Sequence, residues 1–508
     1  MRVQVDGKSL CIEDLEAVAK GAAQAFMDKE TEKRIIESRK MVKKVLERGR
    51  VVYGLNTGVG ELRNVLIPEA DIARLQINLV RSSACGVGDP LPEEVVRGMM
   101  LLRANAFATG HSGIRLEVVR LLLDMLNARV HPVVPAKGSV GSSGDLAPLA
   151  HIALVMIGEG EAFYQGKRVR GEDALRAAGL LPICLEAKEG LALINGTQMM
   201  TALAGLSLAR ALRALDAAQV AACMSLEALK GTARSFDPRL FQARPHFGAS
   251  FVASNMRSLL EGSEILKSHA HVPHEVQDAY TLRCAPQVLG ACLDALLYAK
   301  RAIEVEMNSA NDNPLVMEDG EIVSGGNFHG MPIALPIDHM ALAVHVIGAF
   351  AERRIARLVD GKLSHLPHFL TKEKGLGSGM MIAQYTAASL VSESKGRCFP
   401  SSADSLPTSA NQEDYNSMGA VGALRLMDMV HNTERIIAIE LLCAAQGLEF
   451  AKFAPGRGVA AAYNLIRSEV PALEEDRPLS QDIERIRRKI LDGSLIHEVQ
   501  KVSHFHRA

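Results

Sequence analysis

Residues 138–151 run Gly-Ser-Val-Gly-Ser-Ser-Gly-Asp-Leu-Ala-Pro-Leu-Ala-His. At the centre stand Ser142, Ser143 and Gly144, followed by Asp145 and an apolar run that predicts a helix start. Two readings of the stretch are open. In the first it is a glycine-serine turn feeding a helix, with Asp145 favoured in the first turn by the helix dipole. In the second the backbone cyclises: the Gly144 amide nitrogen attacks the Ser142 carbonyl carbon, and loss of water from Ser143 leaves an exocyclic methylidene. Glycine suits the nitrogen position because no Cβ obstructs the approach of backbone to backbone. The product, a methylidene-imidazolone, is an electrophile of a kind no ordinary side chain supplies. Helix N-termini nearby would favour negative charge building on it.

The 508 residues around this stretch suffice for several domains, or for one large helical unit with appendages. Hydrophobic residues make up 48% and charged ones 23%, and the net charge of −1 gives no hint of a nucleic-acid or anionic-membrane partner. Tryptophan is absent and aromatics are scarce, whereas Ala, Leu and Met abound, a balance that favours helices over sheets. Eight cysteines stand singly with no Cys-x-x-Cys, which points to reduced cytosolic thiols rather than disulfides or zinc. The N-terminal Met-Arg-Val-Gln-Val-Asp-Gly-Lys has no apolar signal core, and no charge-free apolar run is long enough to span a bilayer. A cytoplasmic location is the expectation.

Along the chain, residues 2–12 alternate around Asp6-Gly7 and predict a short hairpin, and helical patterning then runs from about Ile12 to Arg48. The segment 51–60 is glycine-rich but lacks the Gly-Lys-Ser/Thr of a phosphate loop. Its Tyr53 reads either as a tyrosine packed at a turn or as part of a lid. Residues 70–83 look helical, and 162–170 form a polar hairpin around Gln165-Gly166. Residues 191–200 open a long helix, with Asn195 a candidate cap. Proline is absent from 183–237, 287–313, 337–366 and 408–454, windows that predict long helices apolar over wide faces, as in a bundle.

Polar stretches lie between these helices. His269, His271 and His274 raise a metal-site reading, and with it a metal-dependent hydrolase, although their spacing matches no familiar helical ligand pair. Arg283 alone would be a surface or ion-pairing arginine. Residues 308–314 end a helix, and 320–330 form a strand and glycine turn carrying Phe328, on its own a core aromatic. Residues 408–415 precede another long helix, where Glu413 suits a first turn. Arg485, Arg487, Arg488 and Lys489 predict a solvated charged face. A purely structural helical oligomer is the remaining alternative.

The triad stretch closely resembles the prosthetic-group motif of the aromatic amino acid ammonia-lyases, and the likeness covers nearly the whole chain. The resemblance implies a mainly α fold, a long-helix bundle of the fumarase/aspartase-like type with a smaller mixed N-terminal domain. Residues 1–197 would carry the prosthetic-group loop and 198–508 the central and C-terminal bundle. It implies a homotetramer whose sites combine residues from more than one subunit. The implied reaction is loss of ammonia from an L-amino acid through a methylidene-imidazolone made from Ser142-Ser143-Gly144, with no metal and no diffusible cofactor. Such an elimination removes a weakly acidic β-proton and a poor leaving group, so it needs an electrophile, a base and an orienting clamp.

Residue by residue, the family motif places Tyr53 and Tyr280 in proton transfer. Arg283, in the Gln-Asp-x-Tyr-x-x-Arg run of 277–283, clamps the substrate carboxylate. Asn195 lies beside the prosthetic group and Phe328 packs near it. Ser83 and Tyr415 stand where histidine-specific members typically carry His, and Ser142 stands where the usual triad has Ala. Ser142 contributes only a ring substituent, so it does not prevent cyclisation, but a serine at 83 is no imidazole partner. Glu413 keeps the identity that contacts the imidazole in histidine-type members. L-Histidine to urocanate is therefore the first expectation. The same chemistry on tyrosine or phenylalanine, or a 2,3-aminomutase, is the alternative.

Overall fold

A computed structural model describes residues 1–270, 276–373 and 375–508. Among them the chain is mainly α: helices such as Gln198–Ala228, Met331–Val359 and Gly419–Leu448 carry the mass, and the strands are two to four residues long. Two compact units divide the chain. One is built from 1–209, 299–338 and 400–425, the other from 210–298, 339–399 and 426–508.

In the first unit the N-terminal segment departs from the expected hairpin. A turn does form at Asp6-Gly7, with Asp6 Oδ1 accepting from the backbone N–H groups of Lys8 and Ser9 and Gly7 at φ +79°. The chain beyond it enters the helix Ile12–Ala19, so Arg2–Gln4 pairs instead with Gln24–Phe26, in parallel. That strand also breaks the helical run expected from Ile12 to Arg48 into Ile12–Ala19 and Lys29–Glu47. The hairpin at Gln165-Gly166 forms, with both turn residues at positive φ (50° and 76°), the geometry of a type I′ turn.

The helix Leu146–Met156 follows the triad and is buried on most of its length. Asp145 does not cap it. Its carboxylate reaches across to the backbone N–H of Met200 (3.0 Å), in the first turn of Gln198–Ala228, and accepts from Ser139 Oγ (2.7 Å). The triad loop is thereby tied to the start of the longest helix described.

Met331–Val359 is long and apolar enough, by length and composition, to cross a membrane. It carries Asp338, which is buried and accepts from the N–H groups of Ser401 and Ser402 and from Ser402 Oγ. Most of its apolar window, 61%, is buried.

The second unit has its own charged core. Glu440 on Gly419–Leu448 receives a bidentate pair from Arg354 on Met331–Val359 (2.5 and 2.8 Å) and a hydrogen bond from Ser225 on Gln198–Ala228 (2.7 Å). One buried carboxylate thus ties three long helices. Arg487 also belongs to this core. Its guanidinium bonds Glu434 and Glu484, so the face expected to be solvated is partly an ion-pair network. Burial would raise the Glu434 carboxyl, but Arg210 and Arg487 outweigh it and hold it below its ordinary range. All eight cysteines are free.

Candidate active site

The first unit encloses a cavity of about 750 Å³ whose walls come from all three of its segments. Tyr53, Ser83, Ser142, Ser143 and Asn195 come from the first segment, Phe328 from the second, and Glu413 and Tyr415 from the third. Ser142 and Ser143 form its floor. Ser142 and Gly144 are buried, whereas Ser143 is partly open.

The local sequence explains the turn. Gly144 has φ +74°, and its backbone lies against Gly196 so closely that a Cβ there would overlap the Gly196 main chain. Asp145 N–H donates to Gly196 O at 2.6 Å, locking the two backbones together. Gly141 and Gly138 are also at positive φ, a region that glycine enters without a Cβ penalty.

Two side chains converge on Ser143. Asn195 Nδ2 donates to the Ser143 carbonyl oxygen at 2.7 Å. Ser143 Oγ donates to Glu413 Oε1 at 2.9 Å. The second Glu413 oxygen accepts from Ser142 Oγ at 2.6 Å and from Thr408 Oγ1 at 2.9 Å. Asn195 is not the helix-starting cap the sequence suggested. It sits at the C-terminal end of Glu189–Ile194, with its own carbonyl accepting from the buried Arg103 at 2.8 Å. Its Oδ1 is buried and without a hydrogen-bond partner.

The loop that delivers Glu413 is strained. Ser409, Ala410 and Asn411 all take left-handed φ (51°, 50° and 67°), each costing on the order of 1 kcal/mol or more. The bridge between Thr408 and Glu413, with N–H···O bonds of 2.9 and 3.2 Å, closes the turn. Glu413 therefore faces the triad rather than the first turn of Gly419–Leu448.

Buried charge surrounds the floor. Burial pushes the Asp145 carboxyl up to about 6, against the opposing pull of the Met200 N–H and the Ser139 hydroxyl. Burial likewise pulls the Arg103 guanidinium down to about 10, with Asp312 acting the other way. Lys188, fully buried, pairs with Asp312 at 2.8 Å; burial lowers its ammonium pKa and Asp312 partly offsets that.

On the remaining wall, Tyr53 accepts from the Gly60 N–H at 3.1 Å, so the glycine-rich segment is folded back on itself. His329 and Arg63 also line the cavity, and nothing in the sequence singled them out. His329 lies beside Phe328 in the glycine turn, which was the one available signal. Its Nδ1 accepts from Met331 N–H (3.3 Å) and its Nε2, taken as the protonated nitrogen, donates to Tyr415 O (3.1 Å). The His329 and Tyr415 rings are nearly parallel, 11° apart in plane.

Tyr280 and Arg283 belong to the second unit and do not line this cavity. Tyr280 is 73% exposed, and Arg283 lies over its ring while bonding Gln277. Of the three histidines considered as metal ligands, His269 bonds Gly231 O at 3.0 Å. His271 and His274 lie outside the described residues. Among the described residues no group of three or more His, Cys, Asp or Glu is placed to hold a metal.

A long-helix protein with a buried Ser-Ser-Gly turn under a polar cavity is the class that fold and site define. The chain belongs to the aromatic amino acid lyase family, which matches residues 10–468. It is 52% identical over 484 residues to a histidine ammonia-lyase of Caldanaerobacter subterraneus subsp. tengcongensis, covering 95% of each chain. Among solved structures, it resembles a histidine ammonia-lyase from Trypanosoma cruzi, with TM-score 0.92 and 42% identity over 99% of this chain and 96% of that one. It also resembles a tyrosine aminomutase from Streptomyces globisporus, with TM-score 0.94 and 35% identity over the full length of both.

Proposed function

We propose that this carbon–nitrogen lyase removes ammonia from L-histidine to give urocanate, through a methylidene-imidazolone formed from Ser142, Ser143 and Gly144. The observation that carries the reading is Ser143 held at the cavity floor between Asn195 and Glu413. The residues suit such a ring. Gly144 occupies a backbone site with no room for a Cβ. The oxygens that cyclisation discards are the Ser142 carbonyl and the Ser143 hydroxyl. The Ser143 carbonyl oxygen, which Asn195 grips, is retained.

Once formed, the ring supplies an electrophile that draws electrons from the amine or the imidazole of the substrate. The chain's own groups do the remaining work. Asn195 Nδ2 stabilises negative charge on the retained carbonyl oxygen. Its unpartnered Oδ1 is an acceptor for a substrate N–H. Glu413 accepts from the imidazole N–H, a charge-assisted bond that selects histidine over an apolar ring. Tyr53, fixed by Gly60, is a proton carrier on the cavity wall. Ser83, Phe328 and Tyr415 shape the side-chain end of the pocket.

Tyr280 and Arg283 are proposed to reach this cavity from a neighbouring copy in a homotetramer, supplying a second proton carrier and the carboxylate clamp. The exposure of Tyr280 supports that assignment. The free cysteines support a cytoplasmic setting.

The test incubates purified protein with L-histidine, L-tyrosine and L-phenylalanine and follows the ultraviolet absorption of the unsaturated product. Urocanate from histidine is the expected result. Turnover of tyrosine alone, or silence with histidine, would replace the reading with the aminomutase or another lyase.

A further inference from the structure

Ser142 is the position where this chain departs from the usual triad, and its hydroxyl does something the ring chemistry does not require. Ring formation joins Gly144 N to the Ser142 carbonyl carbon. That carbonyl oxygen leaves as water with the protons of the Gly144 and Ser143 amides. A second water takes the Ser143 hydroxyl and the Ser143 Cα proton, leaving the Cα=Cβ double bond, with no change in net oxidation state. Ser142 Oγ takes part in neither loss.

It is buried, 2.6 Å from Glu413 Oε2, and Thr408 Oγ1 approaches the same oxygen at 2.9 Å. Before ring formation Glu413 Oε1 is occupied by Ser143 Oγ at 2.9 Å. Loss of that hydroxyl removes the only hydrogen bond found on Oε1 among the described residues, while Oε2 keeps both donors.

We propose that Ser142 and Thr408 are positioning residues that anchor one oxygen of Glu413, so that dehydration of Ser143 unmasks the other as a single, aimed acceptor for the substrate ring N–H. The proposal rests on the histidine reading above and assigns the substrate-binding geometry within it. Two anchoring donors hold the carboxylate in one rotamer and leave its free oxygen turned toward the space the Ser143 hydroxyl vacated. Maturation and substrate recognition are then one event at one carboxylate. In a chain that has not dehydrated, the Ser143 hydroxyl competes with the histidine ring N–H for Oε1.

The experiment compares wild type, Ser142→Ala, Ser142→Thr and Thr408→Val by intact mass and by KM and kcat for L-histidine. Ser142→Ala is expected to lose two waters like wild type and to raise KM roughly tenfold, with kcat changed by less than about threefold. Ser142→Thr, which restores a hydroxyl, is expected to return KM to within about twofold of wild type. Thr408→Val, which leaves the triad untouched, is expected to raise KM in the same direction and decides the matter if the alanine protein does not fold. Wild-type KM in either hydroxyl-deleted variant overturns the proposal. So does a Ser142→Ala chain that folds but keeps both waters, because the hydroxyl would then serve the ring itself. A wild-type chain of unmodified mass sinks the ring reading instead, which keeps the two failures apart.

Discussion

Ser143 Oγ and Glu413 Oε1 lie 2.9 Å apart although 270 residues separate them in sequence. The serine that the proposed ring chemistry would dehydrate and the carboxylate that accepts its hydrogen bond are brought together by two segments of one compact unit. The contact fixes what removal of either partner should do.

On the proposed ring chemistry, Ser143→Ala removes the hydroxyl whose loss would create the double bond. The expected intact mass shows no second dehydration, and activity toward histidine falls by roughly 10³-fold or more. Mass spectrometry and product absorption on one preparation check both. Wild-type activity in a Ser143→Ala chain is the result that would falsify the assignment.

Gly144→Ala places a Cβ into the Gly196 backbone at a residue with φ +74°. The expected loss of stability is about 2–4 kcal/mol, from strain and overlap together. A lowered denaturation midpoint alongside an unmodified mass is the outcome to look for.

Asp312→Asn leaves the Lys188 ammonium buried without its counter-charge. Breaking a buried pair from one side costs about 3–5 kcal/mol, whereas the paired replacement Lys188→Met with Asp312→Leu removes both charges and should recover much of that. Urea denaturation of the single and double variants separates a charge effect from a packing effect.

The shared-site assignment predicts complementation. Chains carrying Ser143→Ala and chains carrying Arg283→Ala are each inactive alone. Co-expressed in equal amounts, they regain about a quarter of wild-type activity, since half the triads and half the arginines at mixed interfaces are intact. No recovery in demonstrably mixed oligomers would place Arg283 elsewhere.

Asp216 sets a pH dependence. Burial pushes its carboxyl from 3.8 up to about 7, with the Ala508 N–H and Arg507 acting the other way. Between those values the folded state holds a proton that the unfolded state has released. Its contribution to stability therefore declines as pH rises from about 4 to 7 and is level above that. Asp216→Asn keeps an acceptor for the Ala508 N–H, 3.1 Å away, and removes the titration. Relative to wild type, the variant should gain roughly 2–3 kcal/mol between pH 5 and pH 8. Thermal midpoints at the two pH values measure it, and a gap that does not change with pH refutes it.

Much of the architecture was legible because its signals are local. Proline-free, Ala- and Leu-rich windows correspond to the long helices, and the Gln165-Gly166 turn carries its own positive-φ residues. Tyr53, Ser83, Asn195, Phe328, Glu413 and Tyr415 were singled out by motif, and all line one cavity with the two serines. What sequence did not disclose is pairing over distance. Arg2–Gln4 takes a parallel partner at Gln24–Phe26, which alternation around Asp6-Gly7 cannot report. Asp145 looked like a local helix residue and serves a different helix through Met200. Arg487 looked solvated because its buried partner, Glu434, lies 53 residues earlier. Arg63 carries no pattern at all and is known only by where it ends up.

The three-segment construction of the first unit has a consequence for biosynthesis. A nascent chain that has cleared the ribosome through residue 338 already holds the triad, Asn195 and Phe328, yet has no carboxylate to set against the serines. The wall carrying Glu413 arrives only with 400–425, after a further stretch that belongs to the other unit. A finished cavity is thus a property of nearly complete chains, and translation fragments ending before residue 400 carry the Ser-Ser-Gly turn without the group that closes over it.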